Sequence, residues 1–296
     1  MMSVSQRACA LLSLGLLACV PEVAEVHEEV SAEALVTDSY ALVQLVSWLP
    51  RDGDVSTVGT EIAAHFVEAT ALERADALHA LGVWEPVVAS GCVVVAAPQP
   101  TDIGASIALV DQGVLMVDGN GQRAEIVPRS VPAYIPQLKG VVYGVDAAGP
   151  PGYAPNEPYT VWTELGDDLD ARGGVVEAPG PVEIIAIDGR ELGSASDFTY
   201  DPSDGLDVEL LAASDIVYLS LRSGSTLRAA RIECRLEKES ALRLSAEALD
   251  ALFPTMDSIE LTVRTVSSAP LAGEGPSGRL DYFFGDRVAL SPLPRP

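Results

Sequence analysis

From residue 39 onward the chain consists of short runs rich in Val, Ile, Leu and aromatic residues, cut at close intervals by Gly, Pro, Asp and Asn. That texture dictates strands joined by tight turns, because β-branched side chains suit a pleated surface and turn residues end each run. Residues 40–48 (YALVQLVSW) are such a run, closed by Pro50 and the Asp52-Gly53-Asp54 turn. Residues 61–69 fit either strand or helix. Residues 71–81 (ALERADALHAL), ending at Gly82, are the best helix, with Leu72, Ala75, Leu78 and His79 on one face and Glu73, Arg74 and Asp76 off it. Residues 92–97 (CVVVAA) read as a buried strand. Asp118-Gly119-Asn120-Gly121 is a strong hairpin turn between residues 114–117 and 124–127. Residues 107–110, 141–143 and 159–164 supply further short strands.

Beyond Ala178-Pro179-Gly180-Pro181 the spacing becomes regular, with strand runs at 182–187, 206–211, 216–221, 229–236, 259–265 and 280–284. Six short strands separated by turn signals fit a sandwich of immunoglobulin-like size. Residues 245–252, with Ser245 at the cap and Glu247 in the first turn, add a short helix. The expected fold is therefore mostly β. It has two β-rich units, 39–178 and 179–296, the second an immunoglobulin-like β-sandwich, with one or two short helices in all. Pro179 and Pro181 mark the expected boundary, because proline breaks both helix and strand. A chain of 296 residues with 48% hydrophobic and 21% charged residues has ample material for such cores, so wholesale disorder is excluded.

The N-terminus has a different character. Arg7 precedes an apolar run over residues 8–17, which is too short to span a bilayer and has the proportions of a secretory signal. Leu16-Leu17-Ala18-Cys19 follows directly, with a Leu three positions before a Cys and a small residue beside it. This resembles the lipobox of bacterial lipoproteins. The resemblance implies a signal peptide over 1–18, cleavage after Ala18, a diacylglyceryl thioether on Cys19 and an acylated amino terminus. Residues 19–38, carrying Glu22, Glu25, Glu28, Glu29 and Glu33, read as an acidic tether that holds the folded part off the membrane. The lipobox and tether, together with GCVVV at 91–95, ALVDQGVLMVDG at 108–119, APGPVEIIAIDG at 178–189 and IELTVR at 259–264, resemble surface lipoproteins of unknown function from myxobacteria and their relatives. What that implies is export, an anchor in the bacterial cell envelope, in the outer membrane and facing the periplasm or the surface, and no assigned site.

Chemistry is sparse. The formal net charge is -25, with 43 acidic against 18 basic residues, and lysine occurs only at 139 and 238. Such a chain does not suit a nucleic-acid surface, which needs clustered cations to neutralise phosphates. Three histidines, His27, His65 and His79, lie outside any zinc motif, so no metal site is expected. Asp167, Asp168 and Asp170 with Glu164, and Asp201, Asp204 and Asp207, are acidic turns without the spacing of a calcium loop. There is no nucleophile elbow and no phosphate-binding glycine loop, so no cofactor is expected. Trp48, Trp84 and Trp162 are the only tryptophans, which weakens a sugar-binding reading. Cys92 and Cys234 are either joined in a disulfide or buried as separate thiols. These readings lead to a non-enzymatic, lipid-anchored binding or envelope-assembly component, meeting the membrane through Cys19 and an envelope protein or surface ligand elsewhere. The alternative is an extracytoplasmic hydrolase using carboxylates or a Ser-His pair without a linear motif.

Overall fold

The computed structural model describes residues 37–50, 58–70, 72–95, 106–131, 138–145, 151–164, 172–193, 197–201, 203–223, 231–252, 258–273 and 278–293. The signal segment, Cys19 and nearly all of the expected tether lie outside these residues. Only positions 37 and 38 of that tether are described, and they open the first strand.

In chain order the elements begin with β1 (Thr37–Trp48), β2 (Thr60–Thr70), α1 (Arg74–Ala80), β3 (Gly91–Val95) and β4 (Ser106–Leu109). Next come β5 (Val114–Gly119), β6 (Gln122–Ile126), β7 (Arg129–Ser130), β8 (Leu138–Val145), β9 (Pro158–Glu164) and β10 (Gly173–Glu177). The second half holds β11 (Val182–Ile187), β12 (Arg190–Glu191), β13 (Asp197–Tyr200), β14 (Leu206–Ala212), β15 (Ile216–Ser223) and β16 (Arg231–Glu237). It ends with β17 (Ala241–Leu244), α2 (Ala246–Leu252), β18 (Ile259–Leu271) and β19 (Gly278–Pro292). The protein is mostly β with two short helices, as the sequence texture dictates.

One large sheet runs β3-β16-β15-β18-β19-β1-β2-β4-β8-β7, with β13 paired to the far end of β19. Two four-stranded sheets, β10-β9-β5-β6 and β12-β11-β14-β17, complete the set. Strands alternate their side chains between faces, so one face of the large sheet carries Ala41, Val43, Leu45, Leu280, Tyr282 and Phe284. These share one core with Leu115 and Val161 of the first small sheet and Ile184 and Val208 of the second. The opposite face is capped at β1, β2 and β4 by α1, where Tyr40, Leu42, Val67 and Leu109 meet Ala77 and Leu78.

The local signals hold at several places. Asn120 and Gly121, at φ 49° and 69°, form the two-residue loop joining β5 to β6, with Gly119 opposite Gln122. Positive φ at both central residues is what a type I′ hairpin requires. Ser245 caps α2, its Oγ accepting the N–H of Ala248 at 3.2 Å. Residues 61–69 resolve as strand. Two expectations are corrected. In α1 the buried residues are Ala77 and Leu78, with Ala75 exposed, because the helix turns its Arg74–Leu78 side to the sheet and Arg74 lies over the Tyr40 ring at 5.6 Å. And β3 is an edge strand whose side chains are largely exposed.

The division at 178/179 is also corrected. Residues 35–296 make one compact unit, and the large sheet draws strands from both sides of the expected boundary. β1 runs parallel to β19 from Ala41–Gly278 to Trp48–Gly285, and β3 pairs with β16. The Ala178–Pro181 segment is stitched into the core. Ala178 is buried and donates to the Glu157 carbonyl at 2.9 Å, while the Tyr153 hydroxyl donates to Pro179 O at 2.6 Å and Thr265 Oγ1 to Gly180 O at 2.6 Å. The prolines do end β10 and start a new sheet at β11, but the chain only changes sheet there. Fully burying one large apolar side chain stabilises by about 1.5–3 kcal/mol, so neither half could give up this shared core.

Polar stitches run through the same core. Ser47 Oγ, Thr60 Oγ1 and Tyr282 OH lie 3.0–3.2 Å from one another. Asp286 is fully buried and its Oδ2 accepts the Ile184 N–H at 2.8 Å, tying β19 to β11 next to the irregularity in the β11–β14 ladder.

Candidate binding face

The outward face of β15, β16, β18 and β19 is polar, and the period-two alternation of these strands makes it so. β16 reads RIECRLE, with Ile232, Cys234 and Leu236 in the core and Arg231, Glu233, Arg235 and Glu237 on the other side. β15 and β18 contribute Tyr218, Ser220, Arg222, Glu260, Thr262 and Arg264 to that face, and β19 contributes Arg287. Strand register sets these side chains in rows. Glu233, Ser220, Thr262 and Arg287 are successive partners across four strands. In the next row, Arg235, Tyr218, Arg264, Gly285 and Trp48 follow one another.

Gly285 makes the second row possible. A Cβ there would stand 2.8 Å from the Val263 carbonyl, 2.9 Å from the Trp48 ring and 3.2 Å from Arg264 Cγ. The absent side chain lets Arg264 and Trp48 meet over the strand. The Arg264 guanidinium lies 5.2 Å from the Trp48 ring centroid and 4.7 Å from that of Trp84, and Arg287 lies 4.9 Å from Trp48. Cations over indole faces are attracted by the ring quadrupole. Trp84 sits on the segment after α1 that crosses this face. Its carbonyl accepts from Gln44 at 3.0 Å, its indole N–H donates to Glu233 at 3.1 Å, and its ring meets Tyr218 and Phe283 edge-on.

The electrostatics are unusual for so acidic a chain. Arg222 pairs with Glu260 at 2.7 Å and Arg231 with Glu233 at 2.7 Å. Arg264 has one long hydrogen bond, 3.5 Å to Ser220 Oγ, and Arg287 forms no ion pair among the described residues. With Arg235 paired to Glu237 at 3.1 Å, five guanidiniums thus face three carboxylates. Burial pulls the Arg264 pKa down to about 10, with Glu233 opposing the shift. Burial pushes Glu233 up, against the indole of Trp84 and the charges of Arg231 and Arg264. The Trp48 indole nitrogen is buried without a hydrogen-bond acceptor among the described residues.

The residues singled out in the sequence fall elsewhere. Cys92 and Cys234 are joined in a disulfide between directly opposed positions of β3 and β16, Cα atoms 4.0 Å apart. His65 lies on β2, where burial lowers its pKa to about 4, and its Nδ1 has no partner among the described residues. His79 lies on α1. Asp167, Asp168 and Asp170 are outside the described residues, while Glu164 accepts the Trp162 indole N–H at 3.2 Å. Asp201, Asp204 and Asp207 line an open depression of about 300 Å³ with Asp188, Arg190 and Arg243. Asp201 accepts from the Ser203 N–H and hydroxyl, Asp188 from the Asp207 N–H, and Asp207 pairs with Arg243 at 3.1 Å. Among the described residues no group of three or more His, Cys, Asp or Glu converges as a metal site, and no helix is long and apolar enough to cross a membrane.

No protein-family model matches this chain, and no curated protein matches it.

Proposed function

We propose that the chain is a lipid-anchored exported protein that acts as a non-enzymatic binding or envelope-assembly component, held to the membrane through an acylated Cys19. The observation that carries the binding role is the Arg264 face, where five guanidiniums meet three carboxylates on a chain of net charge -25. Partly buried charge in excess of its partners is unfavourable unless a ligand completes it. Two features support export. Leu16-Leu17-Ala18-Cys19 has lipobox form, and the Cys92–Cys234 bond suits an oxidising compartment. The hydrolase alternative would call on carboxylates or on a Ser-His pair, and for the second burial holds the His65 pKa at about 4, below the neutral range that best suits a general base.

An immunoglobulin-like reading of the C-terminal strands fits the same picture. β11, β14 and β17 lie side by side in one sheet, and β16, β15, β18 and β19 in the facing one. β13 runs parallel to β19, and α2 crosses from the first sheet to the second. Such sandwiches present sheet faces and edges to partners.

Crosslinking of the full-length protein in its native membrane tests the binding role. Discrete adducts are expected, and Arg287→Glu should reduce them several-fold, because it reverses charge at an exposed point of the face. Adducts of the same pattern and yield from both proteins would contradict the role.

A further inference from the structure

Resting on the binding role proposed above, we infer that the Arg264 guanidinium, with Arg287 beside it over Trp48, is a binding site for a compact oxyanion, a carboxylate or a phosphate carried on a small and otherwise uncharged ligand. Arg264 is fixed over two indoles, yet among the described residues it spends one N–H on a single 3.5 Å contact. A guanidinium carries five N–H donors in a planar fork that matches carboxylate and phosphate oxygens. The carboxylates nearest it are already engaged. Glu233 accepts from Arg231 and from the Trp84 indole, and Glu260 accepts from Arg222 and Thr262. The Trp48 indole N–H, buried and without an acceptor among the described residues, is a further donor on the same face.

Charge sets the class of ligand. Among the described residues of this face, Arg264 and Arg287 are the cations that remain once the Arg222–Glu260, Arg231–Glu233 and Arg235–Glu237 pairs are set aside. Two unpaired guanidiniums suit one carboxylate or phosphate. A polyanion would meet the field of a chain of net charge -25 as soon as it extended past the patch, since fields of this kind act over about 8–10 Å at ordinary salt. The exposed Arg287 gives an approach from solvent, and the half-buried Arg264 gives the desolvated contact that strengthens a charge-assisted bond.

The test is a titration of the full-length protein in detergent with acetate, inorganic phosphate, acetamide and polyglutamate, at constant ionic strength, read by tryptophan fluorescence. Acetate and phosphate should give saturable changes, and acetamide, which has the same shape without the charge, should give none. Arg264→Gln should weaken acetate binding more than tenfold and Arg287→Gln three- to tenfold, while Arg243→Gln, at the acidic depression, should leave it unchanged. Arg287 is exposed, so its variant keeps the test open if Arg264→Gln fails to fold. Equal responses to acetate and acetamide, or acetate binding unmoved in Arg287→Gln, would overturn the site. Polyglutamate binding more tightly than acetate per carboxylate would overturn the restriction to small ligands. If acetate fails while crosslinking in membranes still depends on Arg287, the ligand class falls and the binding role stands; if both fail, both fall.

Discussion

Replacing Cys92 and Cys234 together by alanine is expected to lower the free energy of unfolding by about 2–5 kcal/mol, with a fall in Tm of about 5–10 °C. The bond closes a loop of sequence separation 142, long enough to place the entropic effect in the upper part of that range. Packing points the same way. Cys234 is fully buried in β16, whereas β3 is an edge strand with exposed side chains, including Val94 at 61% exposure. Apart from the bond, β3 is held mainly by its ladder to β16, and such an edge opens first. Denaturant unfolding with and without a thiol reductant gives the measurement. The wild-type midpoint should drop on reduction to that of the double variant, which should ignore the reductant. Coincident midpoints in all conditions would show that the cross-link contributes nothing.

Acidification is expected to act through His65. Burial lowers its pKa from 6.5 to about 4 in the folded protein, so the unfolded chain binds the additional proton between those values. The contribution is complete above pH 6.5 and is lost as pH falls towards 4, amounting to about 2–3 kcal/mol at 1.36 kcal/mol per unit. Carboxylates titrate in the same range, so the quantity to measure is the difference between wild type and His65→Leu. That difference should shift against the wild type by this amount between pH 7 and pH 4. Parallel stability curves would show that His65 is free to protonate in the folded state.

Strands with clear alternation were legible in the sequence because their signal is local. All six runs beyond residue 181 are strands, and the Asn120-Gly121 turn and the Ser245 cap follow from backbone conformation alone. What stayed hidden is set by contacts far apart in sequence. Pro179 and Pro181 correctly mark a break in strand continuation. Nothing near them reveals that β1 pairs with β19 or β3 with β16, so a change of sheet looked like a domain boundary. CVVVAA looks buried by composition, and only its place at the sheet edge exposes it. Ala75 and Ala77 carry nearly the same helix propensity, and the sheet beneath decides which is covered.

The candidate face was legible in part. The RIECRLE run shows Arg and Glu on alternate positions, a sign of one charged face on a strand, and IELTVR repeats the pattern with Glu260, Thr262 and Arg264. Along the chain the arginines nevertheless look scattered. They gather only when β15, β16, β18 and β19 lie side by side, and Trp48 and Trp84 arrive from more than 100 residues away. The role of Gly285, which leaves room for Arg264 to reach Trp48, has no signature outside the folded sheet.

The anchor is the most direct point on which the proposed function stands. Mass spectrometry of the N-terminal peptide, from protein recovered out of native membranes, reads it in one step. The peptide should begin at Cys19 and carry the mass of a diacylglyceryl thioether with an acylated amino group, and a Cys19→Ser chain should leave the membrane fraction. A peptide running unbroken from Ala18 into an unmodified Cys19, with the variant still bound to the membrane, would contradict it.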